Sequence, residues 1–415
     1  MNIARVIRRL YEKRPYPNLR SSSALGRRWD LPPLPWIKTF WQRQRPVNRI
    51  LIAGCGTGSE AFAFRRRFPR AEIVAIDFSP RSIRAAKDLQ RKNPRFQGVH
   101  FAVCNLTNPR LPKIVGDNFD FVSCHGVLSY IPTVRQVLRN LARCLEPDGV
   151  LYLGVNGEAH FSRSWRRALP GFGIEMIDFQ DTRSLRQLLK LFDMLSQHRS
   201  AEIAGLGADY LAGDLFGVVI QNWPLARWAN LYQSVGLHLL GSYWPFRGAV
   251  FRDVELYHLL IPSSRAEVVK LVEMLRPSSF HCLILSRQQE LRPPWQELKK
   301  LRDWRLVVTP LYRQRWPQKR QRWMSVRNLK LRSPSTNRLV ECRMPEWQIE
   351  LLRRSDGSDS IEDILQSLSV RTLHRYLRDQ LYLLYQLGAI NLLPPTGAHS
   401  ERVMCACERE RRGRH

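Results

Sequence analysis

Asn48-Arg49-Ile50-Leu51-Ile52-Ala53-Gly54-Cys55-Gly56-Thr57-Gly58-Ser59-Glu60 is the stretch that decides the fold. A short apolar run ends in three glycines at alternate positions, and a segment of helical character follows. Nineteen residues beyond Gly58, a second apolar run, Ile73-Val74-Ala75-Ile76, ends in Asp77. Strand, glycine turn, helix, strand and acid together describe a βαβ unit built to hold a nucleoside. Glycine lets the backbone approach the ligand, and the acid takes the ribose hydroxyls.

The alternation continues outward from this unit. The spacing predicts helices over 58–68, 80–92 and 133–145, with Ser79 as N-cap and Pro80 in the first turn of the second. Strands are expected at 72–76, at Val99–Val103 before Asn105, at Phe119–Ser123 before Cys124-His125-Gly126, and at Val150–Val155 after a turn Glu146-Pro147-Asp148-Gly149. Strands alternating with helices of 10–15 residues mean a parallel sheet covered on both faces. A sixth strand is expected at 236–244 after a helix at 224–234. A seventh is expected at Phe280–Leu285 after a helix at 264–275, with Val254–Ile261 as the competing choice. Residues 157–222 read as an insertion with a helix near 182–197 and a loop-rich part over 205–217.

The fold expected is therefore α/β: a doubly wound, mostly parallel seven-stranded Rossmann-like sheet with an insertion and a small C-terminal helical domain. The domains predicted are an N-terminal helix and extended lid (1–47), a core domain (48–287), a basic Trp-rich linker region (288–333), a small module (334–395) and a disordered tail (396–415). In 1–47, Ile3, Val6, Ile7, Leu10 and Tyr11 share one face of a basic helix. That helix either packs on the domain edge or closes over the nucleoside site with Tyr11 and Tyr16 facing it. Leu31–Trp36 is expected as an extended, Pro-rich connection. One strand is expected at Trp304–Thr309. In the small module helices are expected at 345–354, from Asp359, and at 370–387 ending at Gly388, with a turn at Asp356-Gly357-Ser358 and a strand at Ala389–Leu393. Three short helices and a strand resemble a winged-helix module.

Composition bounds the function. With 415 residues, 44% hydrophobic and 10% aromatic, the chain is expected to fold as two packed domains or as one domain with large additions. No run of about 18 apolar residues suggests a membrane span, and the basic N-terminus lacks the apolar core of a secretory signal. Eight cysteines without CxxC spacing read as small buried residues in a reducing compartment, so a cytoplasmic protein is expected. No metal site is expected; Cys405 and Cys407 in the tail lack nearby partners. The net charge is +30, with thirteen Lys/Arg against Glu297 and Asp303 over 291–332, interleaved with Trp304, Tyr312, Trp316 and Trp323. That pattern makes nucleic acid a candidate partner through residues 290–332. A solvated basic face, or attraction to an acidic partner or lipid, fits the same charge.

Two nucleoside readings compete at the glycine turn. A dinucleotide fingerprint needs G-x-G-x-x-G/A, whereas here glycine falls one position early at Gly58 and Ser59 takes the third site. The G-x-G-x-G loop instead resembles motif I of the class I S-adenosylmethionine-dependent methyltransferases. Asn118-Phe119-Asp120-Phe121-Val122 is similar to that family's fourth-strand motif, and Leu145-Glu146-Pro147-Asp148-Gly149 to its turn before strand five. More weakly, Tyr11-Glu12-x-x-Pro15-Tyr16-Pro17, the insertion and the C-terminal module look like a bacterial subgroup with a regulatory-type C-terminal domain.

The resemblance implies S-adenosyl-L-methionine as cofactor. It would be held by Gly54, Cys55, Gly56 and Gly58 beside the methionine part, Asp77 on the ribose, Phe78 on adenine, Asn105 and Leu106 at the adenine amino group, and Cys124 and His125 at the end of strand four. Asn105 departs from the family's usual Asp but keeps an acceptor oxygen. Methyl transfer from a sulfonium mainly needs placement of the acceptor, so no catalytic residue is assigned. His125 and Tyr130, then Glu158, are the candidates for a base, with packing beside the cofactor as the plainer role of His125. The N-P-P-Y signature of amino-directed nucleic-acid methyltransferases is absent. The expected function is methyl transfer by in-line displacement to an unidentified acceptor. The alternative is a nucleic-acid-binding or regulatory protein whose methyltransferase domain senses the cofactor. An NAD-dependent oxidoreductase is a third reading, disfavoured by Gly58 and Ser59.

Overall fold

The computed structural model describes residues 3–13, 15–16, 46–168, 217, 219–242, 250–251, 264–275, 277–289, 292–308, 313–314, 326–332, 339–370, 375–386 and 390–395. They fall into two compact units. The first comprises Met1–Pro32, Arg45–Leu239 and Val272–Gln288, the second Pro33–Gln44, Leu240–Leu271 and Gln289–His415. Several expectations fall outside the described residues: the connection 31–36, the helix at 182–197, nearly all of 205–217, the alternative strand 254–261, the Gly388 cap and the tail.

In chain order the elements are α1 (Ile3–Lys13), β1 (Arg49–Ala53), α2 (Ser59–Arg67), β2 (Glu72–Asp77), α3 (Pro80–Arg91), β3 (Val99–Val103), α4 (Leu111–Val115), β4 (Phe119–His125), α5 (Val134–Cys144), β5 (Leu145–Asn156), α6 (Phe161–Ala168), α7 (Leu225–Gln233), β6 (His238–Ser242), β7 (Val250–Phe251), α8 (Arg265–Leu275) and β8 (Phe280–Ser286). Seven of the strands make one sheet in the order β3-β2-β1-β4-β5-β8-β6. Pairing is parallel from β3 through β5, and β8 runs antiparallel to β5. The strand order reverses direction between β1 and β4. In a doubly wound sheet, that reversal opens a crevice at the carboxyl ends of the strands.

Burial explains why these segments became strands. Ile50, Leu51, Ile52, Ile73, Ala75 and Ile76 have no exposed surface, so helices cover both faces of the sheet and the apolar runs need no polar alternation. Each fully buried Ile or Leu contributes about 1.5–3 kcal/mol relative to exposure. On α5, Val134, Val137, Leu138 and Leu141 recur at three- and four-residue intervals and are buried. Ser79 caps α3 as expected, its side chain accepting a hydrogen bond from the Ser82 amide with Pro80 in the first turn.

One expectation is corrected here. Glu146–Gly149 is not a free turn before the fifth strand but lies inside β5, which starts at Leu145. Phe119 pairs with Leu145 and Phe121 with Val150, so the residues between form an irregularity that the register absorbs. Gly149 is required there because a Cβ would lie 2.8 Å from the Phe119 carbonyl oxygen.

In the second unit the elements are α9 (Leu298–Leu301), β9 (Arg305–Val308), β10 (Arg313–Gln314), β11 (Val326–Arg332), β12 (Leu339–Pro345), α10 (Glu346–Arg354), β13 (Asp356–Ser360), α11 (Ile361–Ser367), α12 (Arg375–Gln386) and β14 (Ile390–Leu393). Two sheets form, in the orders β10-β11-β12-β7 and β13-β9-β14. The expected single strand in 290–332 is thus one of three there. The expected turn at Asp356–Ser358 is also corrected: it is a strand, with Gly357 at φ 93° against Val307. The three helices expected are present, and α11 starts with a capping box between Ser360 and Asp363.

Asp120 fixes where β1 begins. Its buried carboxylate accepts hydrogen bonds from the Asn48 amide at 2.6 Å and the Arg49 amide at 3.0 Å. Asp120→Ala leaves both donors without this acceptor. Urea unfolding of the variant should give a loss of about 2–3 kcal/mol; an unchanged midpoint would refute this anchoring role.

Candidate functional site

The carboxyl ends of β1, β2, β3, β4 and β5 carry, in turn, the glycine turn, Asp77-Phe78, Asn105-Leu106, Cys124-His125 and the segment from Asn156 to Glu158. Every residue expected at the site from sequence therefore lies on one edge of the sheet, on either side of the β1/β4 switch.

The glycine turn is held by its own backbone. Gly54, Gly56 and Gly58 all have positive φ, at 81°, 52° and 92°. At Gly54 a side chain is excluded twice, since a Cβ would also lie 2.5 Å from Val127 Cγ2. The amides of Gly54 and Cys55 both donate to the Ile76 carbonyl, that of Gly56 to Asp77 Oδ2 at 3.0 Å, that of Thr57 to the Tyr16 carbonyl, and that of Gly58 to the Cys55 carbonyl. All five donors of the turn are committed within the protein.

Asp77 faces this turn from the end of β2. Its Oδ1 accepts from the Ser79 amide at 2.9 Å and its Oδ2 from Gly56. It is buried, 9% exposed. Burial pushes its carboxyl above the ordinary 3.8, against the Ser79, Gly56 and Phe78 amides that stabilise the charge. The neighbouring Phe78 is half-buried and meets Tyr11 of α1 edge-on at 5.8 Å between ring centres.

Asn105 is exposed, and its Oδ1 accepts from the Thr107 amide, closing a turn at the end of β3. The oxygen expected to face the ligand already has one donor. Leu106 is buried, and Asn140 of α5, with no exposed surface, holds the Leu106 and Asn108 carbonyls at 2.8 Å each. Sequence reasoning passed over Asn140; the signal was one polar residue beside the apolar stripe of α5.

At β4 the Cys124 side chain is wholly buried, and burial raises its thiol pKa. His125 stands at the mouth of the sheet, its ring 5.5 Å from Tyr152 and 5.3 Å from Phe280, over Gly154. The ring is exposed on its open side, yet desolvation by its protein surroundings lowers its pKa below 6.5. Both its ordinary value and the direction of the shift leave it neutral at pH 7. Tyr130 lies one short turn beyond, half-buried, and Glu158 is paired with Arg163. Glu60, in the first turn of α2, accepts a hydrogen bond from Ser123 Oγ of β4 and places an acid at the helix N-terminus below the turn.

A second polar cluster lies past the ends of β4 and β5. The Asn156 amide donates to Ser129 Oγ, the Gln221 amide to the Ser129 carbonyl, Asn156 Nδ2 to Asn222 Oδ1, and Asn222 Nδ2 to Ser162 Oγ. Trp228 of α7 donates to the Asn156 carbonyl at 3.0 Å. Asn156 Oδ1 and Gln221 Oε1 are buried without a hydrogen-bond partner. Nothing in the sequence pattern marked this cluster, because its members come from four separated segments.

The described part of the basic segment has structural duties in the second unit. Trp295 is buried against Tyr382 and Tyr385, and Arg305 bonds the Gly357 and Pro394 carbonyls. Tyr312, Trp316 and Trp323 lie outside the described residues. Among the described residues no three His, Cys, Asp or Glu side chains gather as metal ligands, and no helix is long and apolar enough to cross a membrane.

Comparison with known proteins agrees with this geometry. Residues 51–151 match the family model described as a methyltransferase domain. The chain is 31% identical over 123 residues to malonyl-[acyl-carrier protein] O-methyltransferase of Bacillus anthracis, covering 29% of this chain and 43% of that one. It is 28% identical over 112 residues to trans-aconitate 2-methyltransferase of Deinococcus radiodurans, covering 27% and 39%. The matches thus span less than half the length of these curated relatives. The solved structure of PKMT2 from Rickettsia typhi in complex with AdoHcy shares the fold, with a TM-score of 0.56 at 15% identity over 92% of this chain and 77% of that one. The chain carries a methyltransferase domain of the class I, S-adenosylmethionine-dependent type.

The raised Asp77 pKa gives a signed prediction. Ribose hydroxyls donate to a carboxylate, so a bound nucleoside favours the ionised acid and its binding releases a proton from the protonated fraction. Affinity for S-adenosylhomocysteine should be flat at neutral pH and weaken by about tenfold per pH unit once pH falls below the raised value. Calorimetry of wild type and Asp77→Asn across pH 8 to 4 checks this. The variant should bind more weakly and lose that acid limb; an identical limb would assign it to another group.

Proposed function

We propose that this protein binds S-adenosylmethionine across the carboxyl ends of β1 to β4 and transfers its methyl group to an acceptor lodged beyond β4 and β5. The observation that carries this reading is the glycine turn, whose five amides are all committed within the protein. A dinucleotide site needs free amides and a helix N-terminus for its pyrophosphate. Here the amides are taken and Glu60 occupies the first turn of α2. A nucleoside without phosphate, carrying a cationic sulfonium, suits a turn with no anion site and a nearby carboxylate.

Asp77 would take the ribose hydroxyls through the lone pairs that Gly56 and Ser79 leave open, and Phe78 would pack on the adenine. The Asn105 turn, braced by Asn140, would face the adenine amino edge. The transfer is an in-line displacement from sulfur, so the protein's work is to align the acceptor atom and exclude water. Neutral His125 stands at the mouth where an acceptor proton would leave. The names of two relatives put carboxylic acids among the acceptors to test, and the hydrogen-bonded Asn156, Asn222 and Ser162 side chains would set the shape of the acceptor's side of the site.

Incubating the full chain with methyl-labelled S-adenosylmethionine and lysate separated into metabolites, protein and nucleic acid should label one fraction. Asp77→Ala should lose that label together with cofactor binding. Asn156→Leu should lower labelling by about tenfold while binding S-adenosylhomocysteine as wild type does. Cofactor binding without labelling of any fraction by wild type would argue against an enzyme and for a cofactor sensor.

A further inference from the structure

Of the Tyr11-Glu12-x-x-Pro15-Tyr16 motif, the site described so far uses the Tyr11 ring and the Tyr16 carbonyl but not Glu12. It touches both halves of that site. Glu12 Oε1 accepts a hydrogen bond from Ser79 Oγ at 2.8 Å and from the Arg81 amide at 3.3 Å, while Arg81 Nη1 donates to the Glu12 carbonyl at 2.7 Å. The Tyr11 ring rests edge-on against Phe78, and the Tyr16 carbonyl takes the Thr57 amide of the glycine turn at 3.1 Å.

From these contacts we infer that Glu12 is a positioning residue for the ribose-binding turn, and that Tyr11, Glu12 and Tyr16 are a built wall of the cofactor site. The inference rests on the reading of that site proposed above. Ser79 carries a single hydroxyl proton. By accepting it, Glu12 turns a hydroxyl lone pair toward the Ser82 amide, 3.1 Å away, and so fixes the N-cap of α3. The same residue's amide holds Asp77 Oδ1. Glu12, Ser79 and Asp77 thus form a relay that sets the rotamer of the ribose acid, while Tyr11 braces the adenine-side ring.

The choice of an acid at position 12 is informative. A second carboxylate beside buried Asp77 opposes its ionisation, and Glu12 contributes in that direction to the raised Asp77 pKa. An uncharged acceptor would fix Ser79 without that cost. A local conflict of this kind marks a functional site rather than a stability device. Glu12 also sits at the N-terminus of α3, where the helix dipole favours negative charge.

Titration of the full chain with S-adenosylhomocysteine separates these roles. Glu12→Ala should weaken binding by about tenfold at pH 8, as expected when a positioned group is released, with the thermal midpoint of the ligand-free protein near that of wild type. Glu12→Gln keeps an acceptor oxygen for Ser79 and should bind nearly as wild type at pH 8. Because it removes the charge, the pH at which affinity begins to fall should move down, a shift that loss of packing alone would not produce. Wild-type affinity in Glu12→Ala, or an unmoved acid limb in Glu12→Gln, overturns the inference while leaving the cofactor reading intact. If Glu12→Ala fails to fold, the Glu12→Gln limb decides alone. Failure of the wild-type chain to bind at all would remove the cofactor reading and this inference together.

Discussion

The site depends on one buried carboxylate and the two amides that hold it. Asp77 takes the Gly56 amide on one oxygen and the Ser79 amide on the other, and so joins the turn after β1 to the turn after β2. A carboxylate this buried is stable only when its lone pairs are satisfied. The turn after β1 can reach it only because Gly54, Gly56 and Gly58 adopt positive φ. Remove the acid and the two turns lose their common partner.

The same economy defines what the site can hold. Glycine turns at the head of a helix commonly present free amides to phosphate. In this protein those amides are spent on Ile76, Asp77, Tyr16 and Cys55, and an acid stands in the first turn of α2. What remains on offer is the Asp77 carboxylate, an aromatic ring at Phe78 and the Asn105 turn. That set suits the nucleoside proposed above, and the amides of the glycine turn itself are not free to take a phosphate. Past the ends of β4 and β5 lies the polar cluster around Asn156, on the side where the proposed acceptor would meet the methyl group.

Much of this was legible in the sequence, because the decisive features are local. The apolar runs ending at Gly54 and Asp77, the Ser79-Pro80 helix start and the stripe on α5 each depend on neighbouring residues alone. The parts that were not legible depend on partners far along the chain. The Glu146–Gly149 segment reads as a turn, yet it is an irregularity inside β5, fixed by pairing with Phe119 and Phe121. The sheet β10-β11-β12-β7 needs β7 to meet β12, some ninety residues later, and no periodicity in a two-residue strand announces that. Nothing in the basic segment singles out Trp295, and its place in the core shows only once Tyr382 and Tyr385, some ninety residues later, are seen against it. Glu12 is an ordinary helix acid until Ser79 is seen to lie against it.

The most direct test of the central claim is calorimetric titration of the full-length wild-type chain with S-adenosylhomocysteine and, separately, with NAD. S-adenosylhomocysteine should bind saturably, Asp77→Ala should lose that binding, and NAD should not bind. Binding of NAD alone, or S-adenosylhomocysteine affinity undiminished in Asp77→Ala, would contradict that claim.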